Sequence, residues 1–444
     1  MKVKKILTVA ILAIALSGNI IAKTNTTPNC DAPAAPGVNW SGCNKIGLRF
    51  SNVDLRGANL ESTDLTGSFF VDANLEGANL QYAKMNKVSL MKTNLTLANL
   101  TGSDLRLVEF KDTISIRQAI FNNADLRGVN LSKKDLRSTS FIGAQMQNIN
   151  LYAANLESSN LNDANLSKAR LIRAKLKNAS LIKTNLTGAE LIQAQLFGVT
   201  MDQANLSNAN MSGVVMDMAN LRGANFESAN LTKANIVKSD LSFSDLCSAS
   251  FNDATIKNSI FKTVNAIPSP SCKLILNNAK IDYTDFSGAI LNNAEMISTK
   301  LENITFSGTS SIQNVNLFHS SIKNCTCNNA NFYGSNMEDI TIIGSNFTKA
   351  ILDNVYFGNN ASFYNVSFVL SSMLGTTRVD RINYQIFVNY ENAKGAINWS
   401  IIPRFAICLR PVNPGTIPVL ETFGMRRAEA IKFSIDCMRW YYFG

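Results

Sequence analysis

Histidine is almost absent: His319 is the only one in 444 residues. A cluster of imidazoles around a metal, or a proton relay needing two of them, is therefore excluded. Charge is sparse as well, at 17% of residues, and 42 basic against 32 acidic side chains leave a net +10. No run beyond the N-terminus reaches the roughly 18 apolar residues that a membrane-spanning helix needs. Proline is missing from the whole of 37–267, which suits a backbone that hydrogen-bonds without interruption. No glycine-rich nucleotide loop stands between a strand and a helix. Against these absences, hydrophobic residues make up 46%. That is enough for a large core and too much for a disordered chain.

The first 22 residues read MKVKKILTVAILAIALSGNIIA. Lys2, Lys4 and Lys5 precede an apolar run from Ile6 to Leu16, and small or polar residues lead to Ala22. This is the pattern of a secretory signal peptide, with an apolar run too short to span a bilayer. Asn19 stands where a lipid anchor would need cysteine. A soluble exported product, periplasmic or extracellular, is the expectation. Loss of the three leader lysines takes the charge from +10 to +7.

From Leu55 a large apolar residue returns every five positions: Leu60, Leu65, Phe70, Leu75, Leu80, Met85 and onward. Two positions before each stands a small or β-branched residue, as Ala58, Thr63, Ser68 and Ala73. Five residues advance an α-helix by about 500°, so such a stripe would wind round it and bury nothing. A plain strand fails because its period is two. A short segment that turns a corner after each fifth residue satisfies the pattern. The centre and the residue two before it face inward, and the other three face out. Gly57, Gly67 and Gly77 fall two after a centre, where a corner favours a residue without Cβ.

Segments such as ADLRG, ANLEG, ANLTG and ANLSK follow an A(N/D)LXX pattern. Through them the chain resembles the pentapeptide-repeat family. The resemblance implies an all-β fold, a right-handed quadrilateral β-helix of about 20 residues per coil. It covers 53–373, between an N-terminal cap at 23–52 and a small non-repeat segment at 374–444. Single-residue slips fall between Phe110 and Phe121, with Ile116 as an intermediate centre, between Phe306 and Ile312, and before Phe363. Pro268 and Pro270 mark a loop. It either replaces corners without changing the count or distorts part of one coil. Incomplete caps would leave end-to-end dimerisation open.

Eight cysteines in an exported chain point to disulfides. The candidate pairs are Cys30 with Cys43, Cys247 with Cys272 across the proline loop, and Cys408 with Cys437. Cys325 and Cys327 occupy both inward positions of one unit and read as a buried reduced pair. The tail is rich in aromatics, including Trp399 and Trp440, and is either a cap or a module that binds a partner. Within it, Ala428, Ile431, Ile435 and Met438 sit at helical spacing, while Ile431, Phe433, Ile435 and Cys437 alternate like a strand.

One concentration of charge lies inside the repeat: Lys168, Arg170, Arg173, Lys175, Lys177 and Lys183, with no acid among them. Wrapped around the sides it is a candidate belt for an acidic partner. No aromatic ladder accompanies it, so nucleic acid is not expected. Some members of the family resemble duplex DNA and occupy DNA gyrase through a negative surface; this chain departs from them in being basic and carrying a leader. No catalytic residue, metal site or cofactor is expected. The reading is an exported, non-enzymatic structural or interaction scaffold of the cell envelope, meeting a protein or an envelope glycan. Its rivals are a secreted factor that binds a host or neighbouring cell through the tail, and a carbohydrate-active β-helix.

Overall fold

The computed structural model describes residues 27–372, apart from 111, 266–271, 309, 359 and 369–370, together with the backbone of 384–385. Each unit of five residues forms one side of a coil. Ala154 and Leu156, the two inward positions of one unit, are completely buried, and so are Ala204 and Leu206 in another. The chain then turns. The carbonyl of Leu206 accepts from the Ala209 N–H at 3.0 Å, and Asn208 between them has φ of 58°. This matches a type II turn, whose third residue must take positive φ. Four such sides return the chain to its start. Asn185 therefore pairs in parallel with Asn205, and the Leu186 N–H donates to the Asn205 carbonyl at 2.7 Å. The result is a parallel β-solenoid with a filled interior.

Contacts divide the chain into two compact units. The first ends at Asn130 and also takes in Asp135–Gln145. Its coiling begins before residue 53. Asn39 already pairs with Asn59, Asn44 with Asp64 and Arg49 with Phe69. Trp40, Lys45 and Phe50 occupy the centres of these early sides and are buried. A lysine at a centre broke the apolar pattern and hid the first coil in the sequence. Lys45 is accommodated because its ammonium donates to the Cys30 carbonyl at 2.6 Å and lies 4.1 Å over the Trp40 ring.

Coiling thus reaches into 23–52, and the described residues ahead of Val38 are tied to the first coil. Asn29 N–H donates to the Asn39 carbonyl at 3.0 Å, and Trp40 Nε1 donates to the Ala32 carbonyl at 3.1 Å. Cys30 is joined to Cys43, with a Cα separation of 5.5 Å. Deeper in this unit Phe50 stacks on Phe70 at 4.9 Å and Phe121 on Phe141 at 5.1 Å. At the first slip, Asn94 pairs with Ser115 and Asn99 with Ile120, so the extra residue is absorbed ahead of Ser115. Ile116 is buried as a centre.

The second unit comprises Leu131–Lys134 and continues from Met146. One of its sides straightens into a nine-stranded parallel sheet with one strand per coil. The strands are β1 (Val215–Asp217), β2 (Asn235–Val237), β3 (Thr255–Lys257), β4 (Lys280–Asp282), β5 (Lys300–Glu302), β6 (Ser321–Lys323), β7 (Thr341–Ile343), β8 (Ser362–Tyr364) and β9 (Tyr384–Gln385). Parallel pairing therefore continues past residue 373. Where this side turns, a serine from the next coil bridges the two ends of the turn. Ser239 Oγ accepts from the Ala219 N–H at 3.1 Å and shares its one proton between the Val237 carbonyl at 3.0 Å and the Met216 carbonyl at 3.3 Å. Ser259 does the same for the Ser239 N–H and the Ile236 carbonyl. A buried N–H left without a partner is costly, so the small inward residue is polar here.

The proline loop is an addition to a coil. Ser250 pairs with Ile275, a separation of 25 rather than the usual 20, and Asp245 still pairs with Asn265. All the added chain falls between Asn265 and Ile275. Cys247 and Cys272 are joined across it, with Cα atoms 5.0 Å apart. Cys325 and Cys327 are joined as well, at a Cα separation of 5.5 Å. This corrects the expectation of a reduced pair. That expectation held that residues two apart in a flat strand can be linked only with strain, whereas their Cα separation here lies within the range a disulfide spans.

Candidate functional site

With the interior filled, chemistry and recognition fall to the outward positions, and these form columns with a rise of about 4.8 Å per coil. Asparagine just before a centre does two jobs. Its side-chain oxygen accepts from the N–H two residues on, as Asn59 does from Glu61 at 3.3 Å. Its amide donates to the asparagine one coil below, as Asn59 to Asn39 and Asn79 to Asn59, both at 3.1 Å. Several charged residues are stacked with opposite charges. Lys84 lies 3.5 Å from Asp64, Arg222 2.9 Å from Asp240 and Lys262 3.0 Å from Asp285. In the first unit Arg106, Arg127 and Arg137 each grip the aspartate two residues before them, and Arg106 also reaches Asp125 at 3.3 Å.

The six belt residues are all exposed and spread over successive sides of one coil. They are not six free charges. Arg170 is 3.4 Å from Glu190, Lys177 is 3.9 Å from Glu157, and Arg173 Nε donates to Gln193 at 2.9 Å. Lys177 also sits 5.7 Å over the Phe197 ring. The acids come from neighbouring coils, about twenty positions away, so a linear scan for acids could not see them.

A second basic feature escaped the sequence reading because its members are also twenty residues apart. Lys280 and Lys300 are directly opposed Cα partners on β4 and β5, both exposed. The two acids of the same strands are already engaged, Asp282 with Lys257 at 3.6 Å and Glu302 with Lys323 at 2.6 Å. Among the described residues neither Lys280 nor Lys300 has an acid within ion-pair distance.

Other candidates are weaker. Phe69, Lys87, Ser89, Leu107, Val108 and Glu109 line an open surface depression in the first unit. His319 is exposed, packs beside Phe318, and has Nε2 3.7 Å from Asp339. Burial pushes the Asp202 carboxyl above its ordinary value, against the opposing effect of Arg222. Among the described residues no group of three or more His, Cys, Asp or Glu is placed to hold a metal ion. No described helix is long and apolar enough to cross a membrane. Trp399, Trp440, Cys408 and Cys437, and the leader at 1–22, lie outside the described residues.

A family model described as pentapeptide repeats matches in eight copies, at residues 37–72, 73–112, 119–157, 149–188, 189–227, 224–262, 276–308 and 310–348. Among solved structures, the chain is similar to HetL, a pentapeptide-repeat protein involved in heterocyst differentiation regulation in the cyanobacterium Nostoc. The identity is 27%, over 49% of this chain and 90% of that one, with a TM-score of 0.26. It is also similar to a pentapeptide-repeat protein of the Arabidopsis thaliana thylakoid lumen, at 30% identity over 24% of this chain and 69% of that one, with a TM-score of 0.12. A third, QnrB1, a plasmid-mediated fluoroquinolone resistance protein, shares 17% identity over 47% of this chain and 86% of that one, with a TM-score of 0.25. No curated protein matches significantly.

Proposed function

The chain belongs to the pentapeptide-repeat family, and on that premise we propose that it is an exported, non-enzymatic scaffold whose outward columns display a recognition surface in the cell envelope. The observation that carries this reading is the completeness of the interior. Both inward positions of nearly every described unit are buried, so side chains that could do work point outward in fixed rows. Such rows suit binding over an extended surface, since the backbone fixes their spacing before any partner arrives. The leader pattern of residues 1–22 supports export, and the joined cysteines suit an oxidising compartment.

The test is fractionation of cells producing the full chain with a C-terminal tag, followed by N-terminal sequencing. The expected product lies outside the cytoplasm and begins just after Ala22. A cytoplasmic product that keeps its leader would sink the reading.

A second reading rests on the aromatic tail. There, residues 374–444 carry the partner contact and the solenoid is its mount. Changing Trp399 or Trp440 to alanine would then abolish binding to target cells while the solenoid melts as before.

A further inference from the structure

We propose that the outer face of β4 and β5 binds an extended anionic polysaccharide through Lys280 and Lys300. Like charges opposed across two strands repel, and a sheet normally avoids them. This chain stacks opposite charges at Asp64 with Lys84 and at Arg170 with Glu190, and where it opposes Asp104 to Asp125 it sets Arg106 against both. Lys280 and Lys300 break the rule. The acids that might have relieved them, Asp282 and Glu302, are held by Lys257 and Lys323. An anion placed between the two free ammonium groups would remove the repulsion and gain two charge-assisted bonds.

The surroundings favour a sugar polymer over other anions. In strand register, Thr255 lies beside Lys280 on one flank and Ser321 beside Lys300 on the other. Among the described residues no side chain engages these hydroxyls, unlike the asparagines of the turning sides, so they can exchange hydrogen bonds with sugar hydroxyls. Tyr283, exposed at the corner that closes β4, offers an apolar ring face on the same coil as Lys280. The straight strands place these groups in a line at about 4.8 Å per rung, a layout for an extended chain rather than for one compact ligand. A single tyrosine is no stacking ladder for successive nucleobases.

This inference names a partner for the scaffold proposed above and rests on that reading only for where the polymer would be met. The experiment is titration of the purified, disulfide-intact chain with polygalacturonate, with neutral dextran as the uncharged counterpart. Saturable, salt-sensitive binding to polygalacturonate but not to dextran is expected. Lys280→Gln with Lys300→Gln should weaken it by about tenfold or more, because a charged partner is lost at both ends of the contact. The paired arginine substitutions should keep it. Lys233→Gln with Lys349→Gln, which removes the same charge elsewhere, should leave it unchanged. Absence of binding, equal loss in both glutamine pairs, or tighter binding to phosphatidylglycerol vesicles, an oligonucleotide or polyglutamate would overturn the proposal. Failure here leaves export untouched, and a cytoplasmic location would leave measured binding untouched.

Discussion

The ammonium of Lys45 lies 4.1 Å above the ring of Trp40, at a position where almost every other coil carries leucine, phenylalanine or methionine. A charge is held in the core because two partners meet it, the indole face and the Cys30 carbonyl. Lys45 thereby couples the first coil to the segment that covers it. Lys45→Ala should destabilise the N-terminal end by about 1–3 kcal/mol, combining a lost cation–π contact and a lost charged hydrogen bond. Faster proteolysis near Cys30 is the readout, and an unchanged cleavage rate would show that the cap is held without it.

The filled interior makes a sharper claim. Leu206 is fully buried, while Asn205 beside it faces out and accepts from the Ser207 N–H at 3.0 Å. Leu206→Ala should cost about 2–5 kcal/mol through the cavity it leaves. Asn205→Ala should cost about 0.5–1.5 kcal/mol, the net value of one hydrogen bond. Urea unfolding of both variants decides it, and equal costs would refute the inward assignment.

Two glycines separate backbone strain from crowding. Gly57 and Gly102 both have positive φ, 61° and 67°. A Cβ at Gly57 would meet nothing, whereas at Gly102 it would lie 2.6 Å from the Tyr82 ring of the coil below. Gly57→Ala should cost about 1–2 kcal/mol from the left-handed backbone alone. Gly102→Ala should cost more, and the excess should vanish when Tyr82 is also alanine. A double-mutant cycle by thermal melting measures that coupling.

Acid should weaken the first unit. The carboxyls of Asp104, Asp125 and Asp135 are held below the usual range by bonds from Arg106, Arg127 and Arg137, with burial acting in the opposite direction. Their folded values lie below the unfolded ones. Their contribution is therefore complete above the unfolded value, about pH 4, and is lost as pH falls through the folded values. Asp135→Asn should flatten the decline in melting temperature below about pH 4. Salt should shrink it too, since these pairs face solvent. A melting temperature that does not move in this range would discount the ladder.

The architecture was legible because two of five side chains are read by the same interior at every unit. Leu156 and Ala154 announce their orientation by size alone. The limits of that signal are equally physical. The coil around Trp40 and Phe50 was missed because a charged residue, Lys45, stands at a centre, its ammonium met by the Trp40 ring and the Cys30 carbonyl. The Cys325–Cys327 link was misjudged because the rule applied was that of a flat strand. The surface was harder still. Arg170 and Glu190, or Lys280 and Lys300, become neighbours only once the coil length is known, and a local reading of charge sees neither the pairing nor the clash.

The stretch between Asn265 and Ile275 carries one further consequence. Chain has been added there, yet Asp245 and Asn265 on one side of it and Ser250 and Ile275 on the other remain in step. The lattice thus already possesses a port at which foreign peptide can be spliced without re-threading anything downstream. An epitope or a fluorophore tag introduced at that spot should leave later pairings such as Asp285 with Thr305 as they are.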